Sequence, residues 1–254
     1  MKGLTKLLAA VPLVLATGTW SWISTVHAHE FIVKPQQLRV ESGAKLPFNI
    51  LATHFFMISE EVEPVNTVKV WAVEGEKRTA IELKENHMLQ TLDGVAPLNR
   101  KGTALLIGHL QEPIAAVKGE GSNKTRRIKR EKFAKALIIV STDDDSYKKT
   151  LGHKLEIVPV SNVMKARIGD ELSLKILLDG KPLKSPVQAT YDGFSRRYNT
   201  YAYATETLED GLAYVKVNSP GIWMVRVEKR IEETTKDYDL LLTEGDLGIF
   251  CLVS

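Results

Sequence analysis

The sequence predicts an all-β protein of two β-rich domains, the C-terminal one an immunoglobulin-like β-sandwich. Three observations point there. Short runs of residues alternate apolar and polar with period two. Turn signals separate them at short intervals. No convincing helix-period segment interrupts the C-terminal hundred residues. The domains fall at residues 29–150 and 151–254, behind a signal peptide at 1–28.

The signal peptide is read first. Lys2 and Lys6 give a positive start, and the apolar run Leu7 to Ala16 follows. Val26-His27-Ala28 then offers modest residues at the third and first places before a cut, so cleavage is expected after Ala28. An uncleaved anchor is the alternative. A spanning helix needs roughly twenty apolar residues, and Pro12 and the polar stretch from Thr17 break this run well short of that. The mature chain would then begin at His29 in the periplasm, with no integral membrane span. No Leu-x-x-Cys pattern precedes the cut to suggest a lipid anchor.

Candidate strands of the first domain are Phe31 to Val40, Pro47 to His54, Thr67 to Val73, Ala80 to Leu83 and Ala104 to Leu110. Glu60 to Pro64 reads as a loop. Phe133 to Val140 (FAKALIIV) is apolar but for Lys135, which fits a buried strand or a short helix. Lys118 to Lys135 carries eight Lys or Arg and reads as a solvated hairpin tip or loop. Docking to an acidic partner is its functional alternative. Asp143-Asp144-Asp145 lacks the alternating ligands and glycine of a calcium loop and reads as a polar turn. The domain junction is expected near Ser146 to His153.

The second domain is plainer. Lys154 to Val160, Glu171 to Leu178, Pro186 to Tyr191, Asn199 to Thr205, Gly211 to Val217, Ile222 to Glu228, Asp237 to Leu242 and Gly248 to Val253 read as strands. Asp179-Gly180 is a two-residue turn requiring positive φ. The single Cys251 makes no internal disulfide and is expected to pack as a small hydrophobe.

Charge excludes one class of partner. Residues 1–28 hold two Lys and no acid, so of the 34 Lys and Arg 32 remain beside 31 Asp and Glu. That balance gives no drive toward nucleic acid, and no aromatics interleave the basic segment. There is no phosphate loop, no G-x-S-x-G, no H-E-x-x-H and no C-x-x-C. The chain is therefore not read as an enzyme.

Histidine is the informative residue. His29, His54, His87, His109 and His153 remain after the cut. An N-terminal His29 offers its α-amino group and its ring to one ion, and both titrate near neutrality. A second histidine would complete a three-nitrogen site suited to Cu(II) or Ni(II). His54, at an expected strand end, ranks first for that place. His109 follows, then His153, then His87.

The opening His29-Glu30-Phe31-Ile32-Val33-Lys34-Pro35 resembles the A-H-D-x-W-x-x-P start of a family of bacterial periplasmic proteins of unknown function. That family is described as linked to nickel or cobalt uptake (NikM-like). Further segments match in order. They are Lys132 to Leu137, Gly152 to Pro159, Gly169 to Leu172, Asp179 to Leu183 and Ser219 to Trp223. Glu30 departs from the family's Asp and Ile32 from its common aromatic. The resemblance implies binding of Ni(II) or Co(II) and an immunoglobulin-like C-terminal module.

Together these readings lead to a non-enzymatic binding protein holding nickel, cobalt or copper through His29 with His54 or His109. It would serve a membrane transporter or an outer-membrane receptor. A second reading is an interaction module that binds protein or glycan without metal. Tyr191, Tyr198, Tyr201 and Tyr203 around Arg196-Arg197 would be its contact patch. A third is a copper monooxygenase built on the same N-terminal histidine.

Overall fold

The computed structural model describes residues 29–118 and 124–251, the side chains of 249–251 excepted. The expected signal peptide and its cut lie outside the described residues. The chain runs through strands β1 (Glu30–Pro35), β2 (Arg39–Val40), β3 (Ala44–Thr53), β4 (Val68–Glu74), β5 (Lys77–Ile81) and β6 (Lys84–Asn86). Next come β7 (Thr91–Leu98), β8 (Gly102–Gln111), β9 (Ala115–Lys118) and the long β10 (Thr125–Val140). The second half holds β11 (Leu155–Pro159), β12 (Glu171–Leu178), β13 (Lys181–Pro182), β14 (Pro186–Tyr191) and β15 (Tyr203–Glu206). β16 (Leu212–Lys216), β17 (Gly221–Ile231) and β18 (Leu240–Cys251) complete it. Three 3-10 turns and no α-helix occur among the described residues. No helix there is long and apolar enough to cross a membrane.

The strands form three sheets. A large one runs β15-β14-β17-β18-β10-β8-β4-β5, with β2 and β9 also on β10. A smaller sheet, β1-β3-β7-β6, covers one of its faces, and a third, β11-β12-β13 with β16, covers the other. The alternation of β8 and β10 sets this arrangement. Ala104, Leu106, Ala134, Ala136 and Ile138 enter one core with Phe31, Phe48 and Leu92. Leu105, Ile107, Leu137 and Ile139 enter the other with Leu174, Trp223 and Val225. Successive strand residues point to opposite faces, so β10 is buried on both sides. That is why Phe133 to Val140 is apolar but for Lys135, whose ammonium pairs with the buried Glu156, and it resolves the strand-or-helix ambiguity in favour of strand.

The all-β class and the immunoglobulin-like C-terminal sandwich are as the sequence predicts. Residues 29–150 and 151–254 share more than a linker: β10 and β18 pair in parallel at the middle of the large sheet. Asp179 and Gly180 take positive φ, 49° and 73°, in the β12–β13 turn.

Three expectations are corrected. Asp237 to Leu242 and Gly248 to Val253 are not two strands. β18 runs unbroken through Thr243-Glu244-Gly245-Asp246, whose acids are buried, Glu244 against Arg226 of β17. Asn199 to Thr205 contributes only its end to β15, and residues 192–202 form a loop. The basic segment is only partly a solvated loop, since Arg130, Lys132 and Lys135 lie buried inside β10.

One glycine is required by packing. Gly94 pairs with Phe48 across β7 and β3, and a Cβ there would overlap the Phe48 ring. Gly94→Ala is expected to lower the unfolding free energy by about 1–3 kcal/mol, as overpacked cores do. A urea midpoint matching the parent protein's would refute this.

Candidate metal centre

Strand register builds the centre. β1 and β3 are antiparallel, and Glu30 faces Thr53. The residues one step outside that pair, His29 and His54, therefore meet at the mouth of the small sheet. Their ring centroids are 4.1 Å apart. The loop after β3 returns beneath them. Glu60 donates its backbone N–H to the Ala52 carbonyl at 2.9 Å. Its carboxylate accepts the His54 backbone N–H at 2.6 Å and lies 3.0 Å from His54 Nδ1. His29 Nδ1 lies 2.9 Å from Glu61 Oε1. Ligand atoms of His29, His54 and Glu60 all fall within 4.8 Å of one another. Two imidazoles and a carboxylate at that spacing can converge on one divalent transition ion.

The electrostatic setting favours a neutral ring at His29. Burial lowers its pKa, and His54 and Lys132 add to that, while Glu61 opposes. Lys132, 3% exposed, donates its Nζ to the His29 carbonyl from below.

Behind the pair lies a buried charge network. Tyr201 Oη donates to Glu30 Oε1 at 2.9 Å and accepts from Arg226 Nη1 at 2.8 Å. Arg226 Nη2 donates to Glu244 at 2.6 Å and to Glu228 at 2.8 Å. Burial raises the Glu30 carboxyl to about 7, although Arg226 and the Tyr201 hydroxyl pull the other way. Burial and the neighbouring Glu244 also raise Asp246 well above the carboxylate range.

The C-terminal sandwich roofs the site. The loop 192–202 lays Tyr198 edge-on to His54, centroids 5.0 Å apart, and stacks it on Phe55 at 4.6 Å. Tyr198 stays 55% exposed, so one side remains open to solvent.

The sequence-named ligands divide accordingly. His29 and His54 are brought together. His109 is not with them: it shares the face of β8 that carries Leu105 and Ile107, across the large sheet. Its Nε2 lies 2.7 Å from Glu131, and its ring stacks on Phe133, with His153 stacked on the same phenyl ring. His87 is exposed beside Glu85. The tyrosine patch also separates. Tyr191 packs on Trp223 and Tyr203 on the C-terminal core, Tyr201 joins the buried network, and only Tyr198 faces outward. Asp144 caps the 3-10 turn Asp145–Lys148, and Asp143 pairs with Lys165, so the acidic trio is the polar turn expected. Glu60 and Glu61 were not visible as site residues in sequence, and Tyr198 was named there only for the contact patch. The only sign was a pair of acids six and seven positions after His54.

Among solved structures the chain is similar to the D0-D1 domain of intimin at 12% identity, covering 87% of this chain and 97% of that one, with a TM-score of 0.25. It is also similar to the Escherichia coli adhesin FdeC at 10% identity, covering 86% and 65%, with a TM-score of 0.28. Mouse nectin-like molecule 4 follows at 10% identity, covering 89% and 64%, with a TM-score of 0.22. No curated protein matches the chain. Residues 26–231 match the family described as "Domain of unknown function (DUF4198)", and the chain belongs to that family.

Proposed function

We propose that this chain is a non-enzymatic periplasmic protein that binds a transition metal ion for uptake or delivery. The observation that carries the reading is the convergence of His29, His54 and Glu60. Cleavage after Ala28 would add the His29 α-amine as a fourth donor. The family description names no metal, so the choice rests on donor chemistry. For nitrogen and carboxylate donors the divalent series favours Cu(II) over Ni(II) over Co(II). Nickel and cobalt remain the metals that the family resemblance implies. A membrane transporter or an outer-membrane receptor would be the partner that receives or supplies the ion.

Calorimetric titration of protein beginning at His29 with Cu(II), Ni(II) and Co(II) tests this. His54→Ala is expected to weaken binding at least tenfold. One alanine added before His29 is expected to do the same, because it turns the amine into an amide. Binding that survives both changes would remove the site.

A further inference from the structure

The metal reading above is the ground for this inference. Each imidazole of the pair places its Nδ1 against a carboxylate, His29 against Glu61 and His54 against Glu60. The two contacts have different consequences. A histidine that chelates through its own α-amine and ring closes a six-membered ring only with Nδ1. Nε2 of the same ring points away from its backbone nitrogen. The two ring nitrogens are distinct sites, and the partner of one decides the state of the other. Glu61 therefore sits on the atom that the chelate needs.

The two acids are also held differently. Glu60 is fixed at both ends, its backbone N–H on Ala52 and its carboxylate on the His54 backbone N–H. Ser59 beside it donates to the Gln90 carbonyl. The Glu61 carboxylate has His29 Nδ1 as its ion-pair partner, and its side chain is 51% exposed. It can swing into solvent without moving the loop.

We propose that Glu61 is a built-in competitor for the metal. In the metal-free protein it accepts the Nδ1 proton of His29. When the ion enters, Glu61 leaves, the proton passes through solvent to Nε2, and the ring stays neutral with Nδ1 on the metal. Glu60 remains in place as the carboxylate ligand. The contact sets the affinity of the centre and keeps the ring oriented until an ion arrives.

The test compares protein beginning at His29 with its Glu61→Ala and Glu60→Ala variants, titrated with Cu(II) against a competing chelator of known affinity. Glu61→Ala is expected to bind about three- to fivefold more tightly, the scale of a half-exposed ion pair. Glu60→Ala is expected to bind at least tenfold more weakly. Unchanged affinity in Glu61→Ala would overturn the competitor, and weaker binding would make Glu61 a ligand instead. Parent protein that binds no Cu(II), Ni(II) or Co(II) would fail the metal reading itself, a result distinct from either. In metal-free protein the ¹⁵N resonance of His29 Nδ1 should be that of a protonated nitrogen and should shift toward the unprotonated value in Glu61→Ala. An unmoved resonance would also count against the competitor.

Discussion

Arg226→Met is expected to lower the unfolding free energy by about 3–5 kcal/mol, the cost of removing one partner from a buried ion pair. Arg226 is 8% exposed and faces Glu244, itself 3% exposed, through a 2.6 Å hydrogen bond. Burial works against the charge of Glu244, but Arg226 and then Lys132 outweigh it and hold the carboxyl below its usual range. Without the guanidinium, Glu244 must either stay charged in a low-dielectric site or take up a proton. Either costs free energy that a water-exposed carboxylate does not pay. The same substitution removes the donor to Tyr201 and so loosens its bond to Glu30, the residue after His29. Urea unfolding at neutral pH measures the loss. Adding Glu244→Gln to Arg226→Met should recover a large part of it, because the stranded charge is gone. If the single variant loses under about 1 kcal/mol, the pair is worth no more than a surface one.

This network also shows where the sequence stopped being readable. Strands with one wet face announce themselves by alternation, as in Glu171 to Leu178, where Leu172, Leu174 and Ile176 are buried. β18 hides its continuity because Glu244 and Asp246 look like turn residues until Arg226 is seen opposite them. β7 hides for a related reason, since Gly94 and Pro97 punctuate it although both pair with β3. Arg130, Lys132 and Lys135 look solvated in a run of basic residues. Their partners Glu112, the His29 carbonyl and Glu156 come from other segments of the chain. The centre divides in the same way. His29 was legible from the cleavage pattern and His54 from its place at a strand end. The choice between His54 and His109 was not, because it depends on which face of β8 the small sheet covers, and that is a tertiary fact. Glu60 and Tyr198 reach the site on loops whose return path no local pattern encodes.

Lowering the pH from about 6.5 to about 4 is expected to cost the fold roughly 3 kcal/mol through His153 alone, at about 1.4 kcal/mol per pH unit. Burial pushes His153 down to about 4 from its ordinary 6.5, with Lys135 and His109 adding to it and Glu156 opposing. The unfolded chain takes up its proton first. Stability from this group is therefore complete above about 6.5 and drains away as the pH falls toward 4. Two carboxyls act in the opposite sense. Burial raises Glu30 and Glu63 to about 7 from 4.5, so the folded state binds their protons first and gains stability as the pH falls through that window. The raw pH profile of the protein will therefore be flatter than any one group implies, and the measurement has to be a difference. His153→Phe keeps a ring on Phe133, where the imidazole now stacks at 4.8 Å, and removes the titration. Chemical unfolding from pH 4 to 7.5 should show the variant gaining on the parent protein by up to about 3 kcal/mol at the acid end. Parallel curves would mean that His153 is not held neutral. Glu30→Gln should show the reverse, losing its acid-side advantage over the same range. His153 stacks on Phe133 with His109, across the large sheet from His29 and His54, so a His153-dependent loss at acid pH would locate the acid lability on that face, away from the His29, His54 and Glu60 cluster.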